Sequence, residues 1–123
     1  MLELLVTVMI IGILASIALP QYRKTVELGY RQQAQDLLLT IYYGEKAYFV
    51  GNNQYKDPGT NWGTIYTENP QTGSPPPTTY TVQVTGGGLN FTAKAKRQGG
   101  QCNNKWLRVD ETRAWDGDWP SCP

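Results

Sequence analysis

"MLELLVTVMIIGILASIALPQYRK", residues 1–24, decides how the rest of the chain is read. From Leu4 to Tyr22 no residue is charged, a run of 19 residues. Coiled as a helix, such a run is about 28 Å long, close to the roughly 30 Å hydrocarbon thickness of a bilayer. It is apolar on every side, so it is not a helix that lies on a surface. A soluble monomer does not leave that much apolar surface in water, so the run needs lipid or further copies of itself. One acid, Glu3, stands at its edge, and Arg23 and Lys24 follow its far end. By the positive-inside rule alone, those two cations hold the C-terminal end in the cytoplasm. A cleavable signal peptide is the first alternative. Its apolar stretch is usually about 7–15 residues, with positive charge before it and a small-residue cut site after it. Here an acid precedes the run, "LASIALP" supplies small residues, and the helical pattern continues beyond Pro20.

That continuation is amphipathic. Val26, Tyr30, Ala34, Leu37, Leu38, Ile41, Glu45 and Tyr48 recur at three- and four-residue steps. All but Glu45 are apolar or aromatic, which makes one buriable stripe. Glu27 and Arg31, four residues apart, are expected to pair on the polar face. Residues 1 to about 50 thus predict a single helix of about 75 Å, greasy all round in front and one-sided behind. Gly12 and Pro20 weaken its front half, Gly12 through backbone entropy and Pro20 through a lost hydrogen bond. Membrane helices tolerate both. The sharper reading is a soft segment between them that unwinds when the subunit is repacked.

Beyond the helix the chain turns polar. Its 123 residues suit one domain with a modest core, and a net charge of +1 points to no strongly charged partner. The mean hydropathy of −0.45 is ordinary and hides the uneven distribution. There is no histidine, which excludes a His-based nucleophilic triad, and the two cysteines, Cys102 and Cys122, make a weak zinc site. An even pair of this kind in an exported domain reads as a disulfide, with a pair of free buried thiols as the rival. Closing a loop of 19 residues would contribute roughly 3 kcal/mol on the chain-entropy view. The disulfide reading places the C-terminal part outside the cell, against the positive-inside rule.

"VGNNQYKDPGTNWG", residues 50–63, and "NPQTGSPPPTT", residues 69–79, read as loops, the prolines favouring an extended conformation. They bracket a short expected strand around 62–66. "TYTVQVT" puts Tyr80, Val82 and Val84 on one face, and "LNFTAKAK" does the same for Leu89, Phe91, Ala93 and Ala95. "GGG" at 86–88 joins the two as a hairpin. "KWLRVDE", 105–111, is expected as a third strand and "TRAW", 112–115, as a fourth. The fold class is α+β, a helix stripe packed on one face of an antiparallel sheet.

Candidate chemistry is thin. Asp110, Glu111, Asp116 and Asp118 cluster near the C-terminus, and oxygen-rich clusters can hold calcium. "DGD" lacks the full spacing of a calcium loop, so turn acids in water are the plainer reading, and no metal is assigned. "NFT" at 90–92 matches a glycosylation acceptor but falls in mid-strand. Trp106, Trp115 and Trp119 form either an exposed patch or a small core under the disulfide loop; the core is the simpler reading. Lys94, Lys96, Arg97 and Lys105 are close enough to make a basic patch, and DNA capture is one use of it, although strand-face lysines also protect sheet edges. No phosphate loop, nucleophile elbow or haem-attachment motif is present, so the chain is read as non-enzymatic, with no catalytic residue and no cofactor.

An acid two residues into the chain, opening the run "ELLVTVMIIGILASIALP" that a tyrosine and basic residues follow, resembles the N-terminal helix of type IV pilins and of the related type II secretion pseudopilins. The resemblance covers about Met1 to Arg31 and is most specific over the first 20 positions; the remainder agrees in layout. It implies a type IV pilin fold: a long helix on a sheet of three or four antiparallel strands, with a C-terminal loop closed by Cys102 and Cys122. Residues 1–22 are then the transmembrane and filament-core helix. Residues 23–50 are the amphipathic half packed on the head, and residues 51–123 are the head itself. The resemblance also implies a precursor with a basic leader, cut and N-methylated by a prepilin peptidase, held in the bacterial inner membrane, and then packed into an extracellular filament.

The family's near-terminal glutamate falls on Glu3, and its helix glycine and proline, which flank a segment that often melts in filaments, fall on Gly12 and Pro20. A carboxylate in hydrocarbon costs roughly 2.5–3.5 kcal/mol at a helix centre and less at an edge. The family implies a partner for it, the N-terminal amine of an adjacent subunit, so that Glu3 sets axial register; otherwise Glu3 snorkels to the headgroups. The family usually has four residues before this glutamate, and here only Met1 and Leu2 precede it. Two mature residues and a leader are therefore expected upstream, unless Met1 is a true start.

The leading expectation is the major pilin of a type IV pilus, a homopolymer serving adhesion, twitching motility or DNA uptake through the pilus assembly machinery. The alternatives are a pseudopilin or minor pilin, and a single-pass membrane-anchored binding domain that forms no polymer.

Overall fold

The computed structural model describes residues 1–71, 73 and 76–122. One helix, α1, runs from Leu2 to Asn52 without interruption through Gly12 and Pro20. It stops where Asn53 adopts a left-handed conformation at φ 58° and donates its N–H to the Phe49 carbonyl. Asparagine is among the few residues that take this cap conformation at low cost.

The two halves of α1 meet different surroundings. Every residue from Met1 to Thr25 is exposed. From Val26 onward the expected stripe is covered: Ala34, Leu38, Ile41 and Glu45 are buried, and Val26, Tyr30, Leu37 and Tyr48 are half-buried. Gly44 also lies on this face, where a β-carbon would collide with the Ile65 carbonyl oxygen.

Four strands form one antiparallel sheet in the order β1-β2-β3-β4: Thr78–Thr85, Asn90–Arg97, Trp106–Asp110 and Trp115–Gly117. The hairpin register pairs Tyr80 with Ala95, Val82 with Ala93 and Val84 with Phe91. Tyr80, Val82, Phe91, Ala93, Ala95, Leu107 and Val109 fill the space between the sheet and α1. Tyr42, Phe49, Tyr55 and Phe91 add an aromatic group, with the Tyr55 and Phe91 rings 4.6 Å apart edge to face. Gly86, Gly87 and Gly88 all take positive φ, the reason three glycines can turn this hairpin.

Several expectations are corrected. The stretch 62–66 is a 3₁₀ turn, Trp62–Ile65, rather than a strand; Trp62 and Ile65, three apart, both point into the core, which a strand's alternation forbids. Leu89 is exposed in the turn and does not share the Phe91 face. Thr78 and Thr79 belong to β1 rather than to the proline-rich loop, of which Thr72, Ser74 and Pro75 lie outside the described residues. The fourth strand begins at Trp115, because Asp110 Oδ1 accepts hydrogen bonds from the Thr112 and Ala114 N–H groups and folds 111–114 into a turn.

Cys102 and Cys122 are disulfide-bonded, with Cα atoms 6.0 Å apart. Trp119 is buried beneath the closed loop, whereas Trp115 is exposed and Trp106 half-buried, so the three tryptophans form neither a common core nor a common patch.

Candidate nucleic-acid interface

Strand alternation sets this site. With Phe91, Ala93 and Ala95 directed inward, Thr92, Lys94 and Lys96 of β2 face away from α1. The same parity turns Trp106 and Arg108 of β3 outward around buried Leu107. The ladder sets Lys94 opposite Arg108 and Lys96 opposite Trp106, and on the other side Thr81 opposite Lys94 and Thr79 opposite Lys96. Three cations, one indole and three hydroxyls therefore share one sheet face.

The indole organises the cations. Lys94 Nζ stands 4.9 Å from the Trp106 ring centre and Arg108 Cζ stands 5.1 Å from it. Such contacts are worth about 0.5–1 kcal/mol at exposed sites and hold long side chains near the surface. Arg108 also pairs with Asp116 of β4 at 2.6 Å, and Lys105 approaches Asp118 at 3.8 Å. Both pairs are about half exposed, so solvent and salt weaken them. Lys94, Lys96, Lys105 and Arg108 against Asp110, Asp116 and Asp118 leave an excess of one positive charge. A shallow depression of about 380 Å³ opens on this face, bounded by Thr81, Gln83, Thr92, Lys94 and Arg108.

Arg97, expected in the patch, faces the opposite way. It continues the inward parity of Phe91, Ala93 and Ala95 and lies buried. Its Nε and Nη2 donate to Glu27 Oε2 and Oε1 at 3.0 and 3.1 Å, and its Nη1 donates to the Pro77 and Gln98 carbonyls. Its guanidinium also sits 4.1 Å from the centre of the Tyr30 ring. This forked ion pair, fully hydrogen-bonded, ties α1 to the end of β2. A β-carbon on Gly100, at φ 71°, would run into it. Glu27 and Arg31 do not form the helix-face pair expected of them; Arg31 instead donates to the Pro120 carbonyl at 3.1 Å. Arg108 was missing from the expected patch, although Leu107 and Val109 in "WLRVD" already imply that it faces outward.

The C-terminal acids are dispersed among separate partners. Asp110 is held below the usual carboxylate range, first by the Thr112 hydroxyl and then by turn N–H groups. Glu111 Oε2 accepts from the Phe91 N–H at 3.3 Å and Asp118 Oδ1 from the Trp106 N–H at 2.9 Å. Among the described residues no group of three or more His, Cys, Asp or Glu side chains could hold a metal ion. Glu3 lies exposed in the first turn of α1, about as far from the sheet as the helix reaches, and Gly12 and Pro20 are exposed within the helix.

A long helix whose front half is bare, a four-stranded sheet on its rear half and a disulfide-closed C-terminal loop together define a type IV pilin. A family model described as "Type IV minor pilin ComP, DNA uptake sequence receptor" matches residues 20–105, and the chain belongs to that family. The match begins where the apolar run ends, so it is carried by the rear helix and the head rather than by the first 19 residues. No curated protein and no solved structure matches the chain.

Proposed function

We propose that the chain is a minor subunit of a type IV pilus whose outer sheet face binds DNA. Its front helix holds it in the inner membrane before assembly and packs among the helices of other pilins afterwards. The head then stands at the pilus surface, on the outside of the cell. Within that packing Glu3 pairs with the N-terminal amine of a neighbouring subunit and sets register, and Gly12 to Pro20 is the segment that yields. A prepilin peptidase prepares the subunit. The role is structural and binding rather than enzymatic.

The observation that carries the DNA reading is the cluster of Lys94, Lys96, Trp106 and Arg108 on a face turned away from the core. Cations on alternate residues of a strand lie about 6.7 Å apart and suit a phosphate backbone, while the indole offers a π-surface. The family's description, a receptor for a DNA uptake sequence, supports the same reading. A major-subunit role, the first expectation from the sequence, uses the same helix packing but needs no DNA-binding face; the minor-subunit description of the family favours the alternative.

The test is duplex-DNA binding by the full chain in mild detergent across a salt series. Replacing Lys94 and Arg108 together by glutamine should weaken binding about tenfold or more near 0.1 M salt. It should also lower the slope of log affinity against log salt by roughly two. An unchanged slope overturns the assignment.

A further inference from the structure

A second concavity lies far from the sheet face, at the junction of the bare helix and the head. It encloses about 960 Å³ and is mostly apolar. One wall is the end of the apolar run, with Leu19 and Pro20; the opposite wall is the β2–β3 connection at Gly100 and Gln101. Arg23 and Lys24 also line it. Neither side chain makes a hydrogen bond or an ion pair within the chain among the described residues. The one acid in the lining, Glu27, is already neutralised by the fork of Arg97. The hollow therefore carries a local surplus of two positive charges over an apolar floor.

Its depth is set by the helix. If the run from Leu4 to Tyr22 spans the hydrocarbon, Leu19 and Pro20 lie at its edge, Tyr22 lies at headgroup level and Arg23 and Lys24 lie just outside. Ser16, a turn deeper than Pro20, lines the same hollow within the hydrocarbon.

We propose that this hollow seats an anionic phospholipid while the subunit waits in the membrane. Arg23 and Lys24 hold the phosphate, Leu19 and Pro20 meet the upper acyl chain, and the head overhangs the headgroup at Gly100 and Gln101. Two clustered cations beside an apolar wall distinguish the lipid from free phosphate, which has no use for that wall. Packing into a filament must then release the lipid, which makes the site a membrane-side checkpoint on assembly. The inference rests on the membrane residence proposed above.

The experiment uses the full chain in nanodiscs of phosphatidylglycerol and phosphatidylcholine mixed equally, followed by extraction into mild detergent and native mass spectrometry of retained lipid. One phosphatidylglycerol per chain is expected, enriched several-fold over phosphatidylcholine. Replacing Arg23 and Lys24 by glutamine should cut that enrichment by roughly tenfold. Replacing Lys94 and Lys96 by glutamine should leave it unchanged. Equal retention of both lipids, equal loss in both double variants, or a hollow filled by a second copy of the chain, seen as a lipid-free dimer, each overturns the site. Failure of the chain to enter nanodiscs overturns membrane residence as well, and is seen separately as protein left outside the discs.

Discussion

The two halves of α1 share one backbone and differ in who covers them. Between Val26 and Asn52 the sheet and loops of the same chain bury Ala34, Leu38 and Ile41. Between Leu2 and Thr25 nothing in the chain does so, and Leu4, Leu5, Val8, Met9, Ile13 and Leu14 are each about half exposed or more. The rear half thus belongs to the stability of one molecule. In the function proposed above, the front half belongs to an environment, lipid first and other helices later. In lipid, helix association depends on packing and polar contacts rather than on transfer out of water, so the front half can change partners without unfolding the head.

The sharpest way to break this contrast is to remove one leucine from each half. Leu38→Ala should lower the unfolding free energy of the head by about 2–5 kcal/mol, read as a loss of several degrees in the near-UV thermal transition of the full chain in detergent. Leu5→Ala should leave that transition within about 0.5 kcal/mol of wild type. A comparable loss from Leu5→Ala would mean that the front half is part of the folding unit.

Glu45 sharpens the comparison from within the buried half. It sits in the stripe, fully covered, with Oε2 accepting the Lys56 N–H at 2.9 Å and Oε1 without a hydrogen-bond partner. Burial pushes its carboxyl up to about 7, the Lys56 N–H opposing and Asp57 adding to the rise. A raised folded pKa means that the native state holds a proton the unfolded chain has released. The contribution is therefore full below about 4.5 and is lost as pH rises towards 7, after which it levels off. Stability of the head should fall by up to about 3 kcal/mol across that window, and Glu45→Gln should flatten the decline. A flat profile in the wild type would place the carboxyl in water.

The smallest effect on folding is expected at the far end. Glu3→Ala should leave the thermal transition of the head and membrane insertion unchanged while cutting filament incorporation, read by immunogold counts on sheared pili. Normal incorporation would remove the register role.

Much of this architecture was legible because its signals are local. A stripe at steps of three and four, alternation in "TYTVQVT" and "FTAKA", a triple-glycine turn and a cysteine pair each declare an element without reference to the rest of the chain. The errors arose where a choice depended on distant residues. Trp62 and Ile65 had the composition of a strand, but the site offered beside Gly44 suits a turn. Asp110, rather than the preference of "TRAW", determined where β4 begins. In the basic patch, alternation already separated Arg97 from Lys94 and Lys96 and already joined Arg108 to them; grouping by proximity in sequence obscured it.

By itself, then, the sequence determined that the chain has one long helix with a bare front and a striped rear, a hairpin-led sheet and a tied C-terminus, because hydrophobic periodicity acts over a few residues. The tertiary structure alone decided which partner each charge meets. Arg97 meets Glu27 across 70 positions of chain, Lys94 and Arg108 meet over Trp106, and Glu45 loses its water. The physical reason is that an ionisable group takes its energy from whatever the fold brings within a few ångströms, and no local pattern records that neighbour.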